Sequence, residues 1–400
     1  MSESVLITRL ASRGDGVTAD GRHLPGTAPG DLVDMDGALV ERGPHHQAPV
    51  CAYFGRCGGC QLQHVDDAAY AGFIRDRIAQ ALASQGLEIP ELAPVHLSPP
   101  ASRRRASLRA TRSGKRITIG FNEGESHQII DIGQCPVLDP TLVALLAPLR
   151  ELLPTLIEDR KAAVVTMTLC DQGVDLMIGP LEIDNYRALE AMNDFASAHG
   201  LARLSVDSGY GAEPVHMPEH PTISFGGIPV RLPAGAFLQA TPDGEAALRR
   251  AVETIVSGRK RIADLFAGLG TFALPLSAAA HVTAIDAAGA AIAALGEAAG
   301  RARRPLVARH RDLFRAPLDV IELNGFDAVV VDPPRAGARN QAQMLARSKV
   351  PSIAMVSCNP SSFARDAKTL IDGGYHMRKL WPVGQFRWST HVELVAWFER

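Results

Sequence analysis

No run of about twenty apolar residues occurs in these 400 residues, so no membrane-spanning helix and no membrane partner are expected. The polar opening MSESVLITRL has no basic n-region followed by an apolar h-region, so no export signal is expected and the chain is placed in the cytoplasm. An excess of positive charge is missing too. With 41 Lys and Arg against 43 Asp and Glu the net charge is −2, so any polyanion site must be a local patch. No internal repeat or low-complexity tract appears. Cysteine is scarce, with six residues, and without an export signal a disulfide framework is not expected. Metal ligation and nucleophilic chemistry remain as uses for the thiols.

What is present reads as ordinary globular sequence. Its 46% apolar and 21% charged content, at this length, exceeds what one hydrophobic core usually organises and fits two or three domains. The first forty-odd residues carry short alternating runs such as Val5-Leu6-Ile7 between Gly, Pro and Asp turns, the spacing of a small β-barrel or meander. Tyr70, Phe73, Ile74, Ile78 and Leu82 recur at helical spacing within 66–85, which predicts a helix packed on something larger. From about 94 to 233, strand-like segments alternate with a helix near 185–199, a separate α+β domain. Beyond Gly235, five apolar strands beginning at Arg261, Val282, Leu306, Ala328 and Ile353 alternate with Gly-rich turns and helices, which predicts a parallel, doubly wound sheet. The basic stretch 102–116, SRRRASLRATRSGKR, reads either as a solvated face or as a nucleic-acid contact.

The segment 263–271, ADLFAGLGT, follows the first of these strands and opens a helix. Glycines there, Gly268 among them, let the backbone approach a ligand at the carboxyl edge of the sheet. Asp286 ends the next strand, where a carboxylate can accept hydrogen bonds from both ribose hydroxyls. Position 273 is Ala, and no basic group awaits a pyrophosphate, so an adenosine ligand without phosphates fits better than a dinucleotide. S-adenosylmethionine is such a ligand. Asp264 at the turn and Asp312 after the third strand read equally as ligand contacts and as turn or cap formers.

Asp332-Pro333-Pro334-Arg335 ends the fourth strand and Ser357-Cys358-Asn359-Pro360 the fifth, on the same edge as the glycine loop. Cys358 at a strand tip reads as a nucleophile, against the usual fate of a lone cysteine as an inert buried thiol. Glu393 precedes the apolar strand 394–398 and can reach the cleft as a base, or serve as a structural carboxylate paired with an arginine. Cys51, Cys57-Gly58-Gly59-Cys60 and the distant Cys135 supply four thiolates, with glycine amides free to face bridging sulfides, which favours a [4Fe-4S] cubane. Zinc is the rival, although its usual pattern is two close pairs rather than a triplet plus one. Cys170, alone in an apolar strand, reads as core.

These residues resemble the RNA 5-methyluridine methyltransferase family, in particular its iron–sulfur members that act on 23S ribosomal RNA. The likeness rests on 51–64 (CAYFGRCGGCQLQH), 236–239 (AFLQ), 264–271, 332–337, 356–360 and 391–393 (HVE). It implies a C-terminal Rossmann-like class I S-adenosylmethionine-dependent methyltransferase domain (66–94 and 237–400), a central α+β iron–sulfur and RNA-binding domain (47–65 and 95–236), and a short N-terminal TRAM or OB-like β-barrel (1–46). It also implies cofactor contacts from Gln239, Phe266, Thr271, Asp286, Asp312 and Asp332, Cys358 as nucleophile, Glu393 as base, and Cys51, Cys57, Cys60 and Cys135 as cluster ligands. The substrate would be a loop uridine flipped into the cleft, methylated at C5 after thiolate addition at C6, with no obligate protein partner. The alternatives are the same reaction on transfer RNA, or a non-catalytic RNA-binding factor. Arg335, where methyltransferases of protein glutamine or DNA amines carry an aromatic residue, points away from those. The run 384–390, GQFRWST, stands where the family usually has Asp-x-Phe-Pro, so contacts to the base are expected to differ there.

Overall fold

Ala328–Val331 and Ser352–Ser357 are buried at every position, as strands covered on both faces must be. They form the centre of the largest sheet in the computed structural model, which describes residues 4–124 and 126–400. Residues 1–3 of the expected N-terminal unit, and Glu125 in the central domain, lie outside it. The sheet runs Leu306–His310, His281–Asp286, Arg261–Leu265, Ala328–Val331, Ser352–Ser357, Glu393–Glu399, His376–Gly384, Glu91–Leu92. Its first five strands are parallel, as the sequence predicts, and Glu393–Glu399 runs antiparallel between the last of them and His376–Gly384. The strand order reverses beside Arg261–Leu265, and such a switch point opens a crevice at the carboxyl edge. Because Glu393–Glu399 is antiparallel, its first residue, not its last, lies at that edge. The register Ser357↔Leu394 therefore brings Glu393 beside Cys358.

Helix Asp67–Ala83 is started by Asp66, whose carboxylate accepts from the Ala69 amide at 2.8 Å. Its apolar stripe of Tyr70, Phe73, Ile74, Ile78 and Leu82 enters the same core as Val331, Phe363, Leu394 and Phe398. Tyr70 also spends its hydroxyl on the segment that leads to Glu393, donating to the carbonyls of Phe386 and Ser389 at 3.0 and 3.2 Å.

A second sheet of seven strands runs Ile129–Asp131, Arg116–Asn122, Arg105–Ser113, Ala162–Cys170, Gly173–Gly179, Arg203–Asp207, Ala212–His216. It buries Leu108, Val165, Leu176 and Leu204 with Leu149 and Met192 from its covering helices. The hairpin Thr222–Phe225 and Ile228–Arg231 sits, by the sequence boundaries, in this central domain. Its Ile223, Phe225 and Val230 share one core with Leu274 and Leu295 of the methyltransferase domain and with Cys170 and Ala202 of the central domain, and Thr222 and Ser224 donate to Asp171, so the hairpin bridges the two. The N-terminal unit is a five-stranded antiparallel sheet, His23–Leu24, Gly16–Thr18, Val5–Leu10, Leu32–Val33, Leu39–Glu41. Buried Asp31 closes it, accepting from the amides of Ala28 and Gly43 at 2.7 Å each and facing His46 Nδ1 at 2.8 Å.

The basic stretch is a solvated face only in part, and two of its arginines fit neither reading. Arg109 points outward from a strand whose Leu108 and Ala110 are buried. Arg104 and Arg105 turn inward and bind the chain ahead of the methyltransferase sheet: Arg104 donates to the Gln239 carbonyl at 3.0 Å and pairs with Glu245, and Arg105 donates to the Leu238 carbonyl at 3.0 Å. Their positive charge is used to hold the 236–240 loop.

Candidate active site

Two cavities meet at the carboxyl edge of the parallel strands. One, of about 640 Å³, is lined by Gln239, Phe266, Gly268, Asp286, Asp312, Phe314 and Asp332. The other, of about 540 Å³, is lined by Cys51, Cys57, Cys60, Cys135, Arg103, Phe386 and His391. Phe237, Arg335, Cys358 and Glu393 line both.

The first cavity is built by a strained turn. Phe266 has φ 63°, a backbone region costly for an aromatic residue, and its ring lies 5.4 Å from that of Phe314. Asp286 accepts from the Gly268 amide at 2.9 Å and the Ala288 amide at 2.7 Å, so it ties the glycine loop to the next strand while still facing the cavity. Asp312 likewise accepts from the Phe314 amide at 2.9 Å. Thr271 departs from expectation: it does not line the cavity, because the chain turns at Gly268 (φ 53°) and Gly270 (φ 94°) before reaching it. Asp264 lies beneath the loop, fully buried, with no well-formed hydrogen bond to either carboxyl oxygen and the Ala273 amide as its one nearby donor. Burial, then the Asp332 carboxylate, hold it well above the usual carboxylate range. Asp332 opens partly onto the cavity, and burial with the nearby Asp286 pushes it up to about 7. An unpartnered buried carboxyl beside two more, walled by Phe and Leu side chains, suits a cationic nucleoside and not a polyphosphate.

At the junction, Cys358 is half-buried at the end of Ser352–Ser357. Burial pushes its thiol up to about 11; Glu393 and Asp332 add to the rise, and Arg335 opposes it. The Arg335 loop is pinned by Asn359, whose Nδ2 donates to the Arg335 carbonyl at 2.9 Å, and by Ser362 at 3.0 Å. Glu393 is buried, and burial followed by Asp332 pushes it up to about 8, against a hydrogen bond from Gln385. A thiol and a carboxyl at the meeting point of two cavities can act on opposite faces of one substrate ring.

The second cavity is aromatic and cationic on one side. Arg103 lies over Phe386 at 5.5 Å, Phe386 faces His391 at 5.5 Å, and Arg105 lies over Phe237 at 5.2 Å. Such stacks suit an unstacked base. The same cavity is lined by Cys51, Cys57, Cys60 and Cys135, all free thiols, with Arg103 close enough to Cys60 and Cys135 to interact with them. Burial raises Cys57 and Cys135 and pushes Cys60 up to about 12. Among the described residues no three His, Cys, Asp or Glu side chains close on a metal ion as they stand. The Cys loop is tied to the site: the amides of Gln61 and Leu62 both donate to the Trp388 carbonyl at 2.9 Å.

Arg103 belongs to the basic stretch 102–116, whereas Gln385 and Phe386 carry no individual signal in the sequence. The signal for those two was the unusual run 384–390 itself.

A Rossmann-like sheet with an acidic, phosphate-free nucleoside cavity at its switch point defines an S-adenosylmethionine-dependent methyltransferase. Residues 306–400 match the family model described as tRNA (Uracil-5-)-methyltransferase. The chain is 47% identical to an uncharacterized RNA methyltransferase of Zymomonas mobilis, over 98% of this chain and 99% of that one. It is 32% identical to the 23S rRNA (uracil(1939)-C(5))-methyltransferase of Chromohalobacter salexigens, over 98% of this chain and 88% of that one. In fold it is similar to the Pyrococcus abyssi tRNA (uracil-54, C5)-methyltransferase solved with S-adenosyl-L-homocysteine, with a TM-score of 0.75 and 23% identity over 99% and 100% of the two chains. The chain belongs to the RNA uracil-C5 methyltransferase family, and is an enzyme that uses S-adenosylmethionine.

Proposed function

We propose that this enzyme methylates one uridine of 23S ribosomal RNA through a covalent adduct on Cys358. The observation that carries the reading is the placement of Cys358 and Glu393 on the wall shared by the two cavities. The nucleoside cavity takes S-adenosylmethionine, with Gln239, Phe266, Gly268, Asp286, Asp312 and Asp332 as its contacts. The aromatic and cationic cavity takes the flipped uridine.

Uracil C5 is a poor nucleophile. The Cys358 thiolate adds to C6, and the electron pair of the C5=C6 bond moves toward C5 and O4. When bound, the cofactor would supply an electrophilic methyl group to C5, its sulfur keeping the electron pair of the broken S–CH3 bond. Glu393 then removes the C5 proton, the C5–H electron pair restores the double bond, and Cys358 leaves as thiolate. Arg335 is the cation nearest to hand for the attacking sulfur. Cys51, Cys57, Cys60 and Cys135 would hold a [4Fe-4S] cluster; their convergence on one cavity supports this, and a brown preparation under anaerobic conditions is expected, against a colourless zinc-loaded one.

The 23S assignment is supported by the relative from Chromohalobacter salexigens. Mass spectrometry of 5-methyluridine in ribosomal and transfer RNA, from cells with and without the gene, tests it. Loss of one 23S site is the expected result. Loss of a transfer-RNA site would move the substrate, and unchanged 5-methyluridine in both pools would overturn the reading.

A further inference from the structure

Gln385 lies in the run that departs from the family's pattern, is 1% exposed, and has both ends of its amide engaged. Its Oε1 is 2.9 Å from the Ala240 amide nitrogen and 3.4 Å from that of Thr241. A backbone N–H can only donate, so the atom facing it must be the carbonyl oxygen, and the NH2 group must lie on the other side. There it meets Gln239 Oε1 at 2.7 Å and the Glu393 carboxylate. With its oxygen thus occupied, Gln239 directs its own Nε2 toward Asp332 Oδ2, 3.4 Å away. One backbone N–H therefore sets the polarity of a chain of amides that joins the cofactor wall to the base. Room for it comes from Gly244, where a Cβ would stand 2.6 Å from the Gln385 Cβ and 3.2 Å from its Oε1.

We propose that Gln385 is a positioning residue for methyl transfer, holding the Glu393 carboxylate beside Cys358 and turning the Gln239 amide toward the cofactor. The inference rests on Glu393 as the base. Other residues of charge around Glu393 do not duplicate the role. Asp332, Arg335 and Cys358 face it from the parallel-strand tips, with His391 from its own segment and Arg103 from the central sheet. On the helix Pro242–Ile255 behind it, Asp243 is paired with His96 and Glu245 with Arg104. On the helix Asp67–Ala83, Asp67 is paired with Arg387. A donated hydrogen bond favours the ionised carboxylate, so Gln385 opposes the rise that burial and Asp332 impose.

The sign follows directly. Glu393 is a base only above its pKa, and loss of the Gln385 donor moves that point upward, so proton removal from C5 becomes scarcer near neutrality, while thiolate addition needs no ionised carboxylate and is eased as the charge beside Cys358 is neutralised. The test uses the full-length protein, S-adenosylmethionine and total RNA from cells lacking the gene. Formation and resolution of the protein–RNA adduct are followed separately by rapid quench and denaturing gel between pH 6 and 10. For Gln385→Met we expect resolution about tenfold slower at pH 7.5, its inflection about one pH unit higher, and formation changed far less. Gln385→Glu keeps the shape but replaces the donor, and Gly244→Ala displaces the side chain without removing it; whichever of the three folds should shift the inflection the same way. A merely structural role would slow both steps without moving the inflection, and an unmoved inflection in a folded variant overturns the proposal. Glu393→Gln in the same assay separates the two readings. If it resolves its adduct as the parent does, the base assignment fails and takes this inference with it; if it stalls while Gln385→Met behaves as the parent, only the positioning role fails.

Discussion

Alkylation of Cys358 by iodoacetamide, followed by peptide mass spectrometry across pH, probes the electrostatics of the site without any RNA. Burial, Glu393 and Asp332 together carry this thiol from an ordinary 9.0 to about 11, with Arg335 opposing them. Two pH units leave about one hundredth of the thiolate that an unperturbed cysteine has near neutrality. The rarer thiolate is intrinsically more reactive, and a Brønsted slope of about 0.4–0.5 returns roughly six- to tenfold. The balance is alkylation roughly ten- to sixteenfold slower than for a free thiol at pH 7.5, still rising at about pH 10. Glu393→Gln removes a negative neighbour and should speed the reaction above about pH 8, where Glu393 is ionised. Arg335→Met removes the opposing cation and should slow it. A profile that levels off below pH 9, or rates indifferent to both substitutions, would refute the reasoning, because the resting site would then hold a pre-ionised nucleophile.

Asp332→Asn removes one carboxylate from the acidic nucleoside cavity and should weaken S-adenosylmethionine binding about tenfold or more by calorimetry; unchanged affinity would place the cofactor elsewhere. Asp264 keeps in the folded state a proton that the unfolded chain releases above about 3.8, so its contribution to stability is full below that pH and is lost as pH rises. The Tm of Asp264→Asn relative to the parent should therefore move in the variant's favour between pH 4 and pH 8, and equal differences at the two would count against a protonated Asp264. Leu82→Ala, at a fully buried position where the first long helix meets the large sheet, should cost about 2–5 kcal/mol in urea unfolding. A loss below about 1 kcal/mol would mean that this helix is not part of the sheet's core.

The elements most legible in the chain were those whose pattern is local. The run Ala328–Val331 reads as a two-sided buried strand because no polar residue interrupts it, and the stripe from Tyr70 to Leu82 reads as a helix because its spacing matches the helical period. The place of the hairpin at 222–231 between two cores was not legible, because a two-stranded ribbon carries no mark of what its apolar side will join. The basic stretch was ambiguous for a related reason. Arg104, Arg105 and Arg109 are the same residue type within six positions, and only their partners distinguish a loop clamp from an exposed face. Thr271 stands off the cavity, after two positive-φ glycines that turn the chain, a displacement its spacing does not reveal.

Legible in the sequence alone were the parallel Rossmann-like sheet, the thiol at a strand tip and the acidic residues that end neighbouring strands. Those depend on residue type and period, which the chain carries along its length. The tertiary structure decided that Glu393 meets Cys358, since an antiparallel strand inserted beside a parallel one brings its beginning to the edge where the other ends. It also decided the direction of the amide chain from Ala240 through Gln385 to Glu393, because hydrogen-bond polarity is set by which donor lies opposite which acceptor, between residues up to 153 positions apart in the chain.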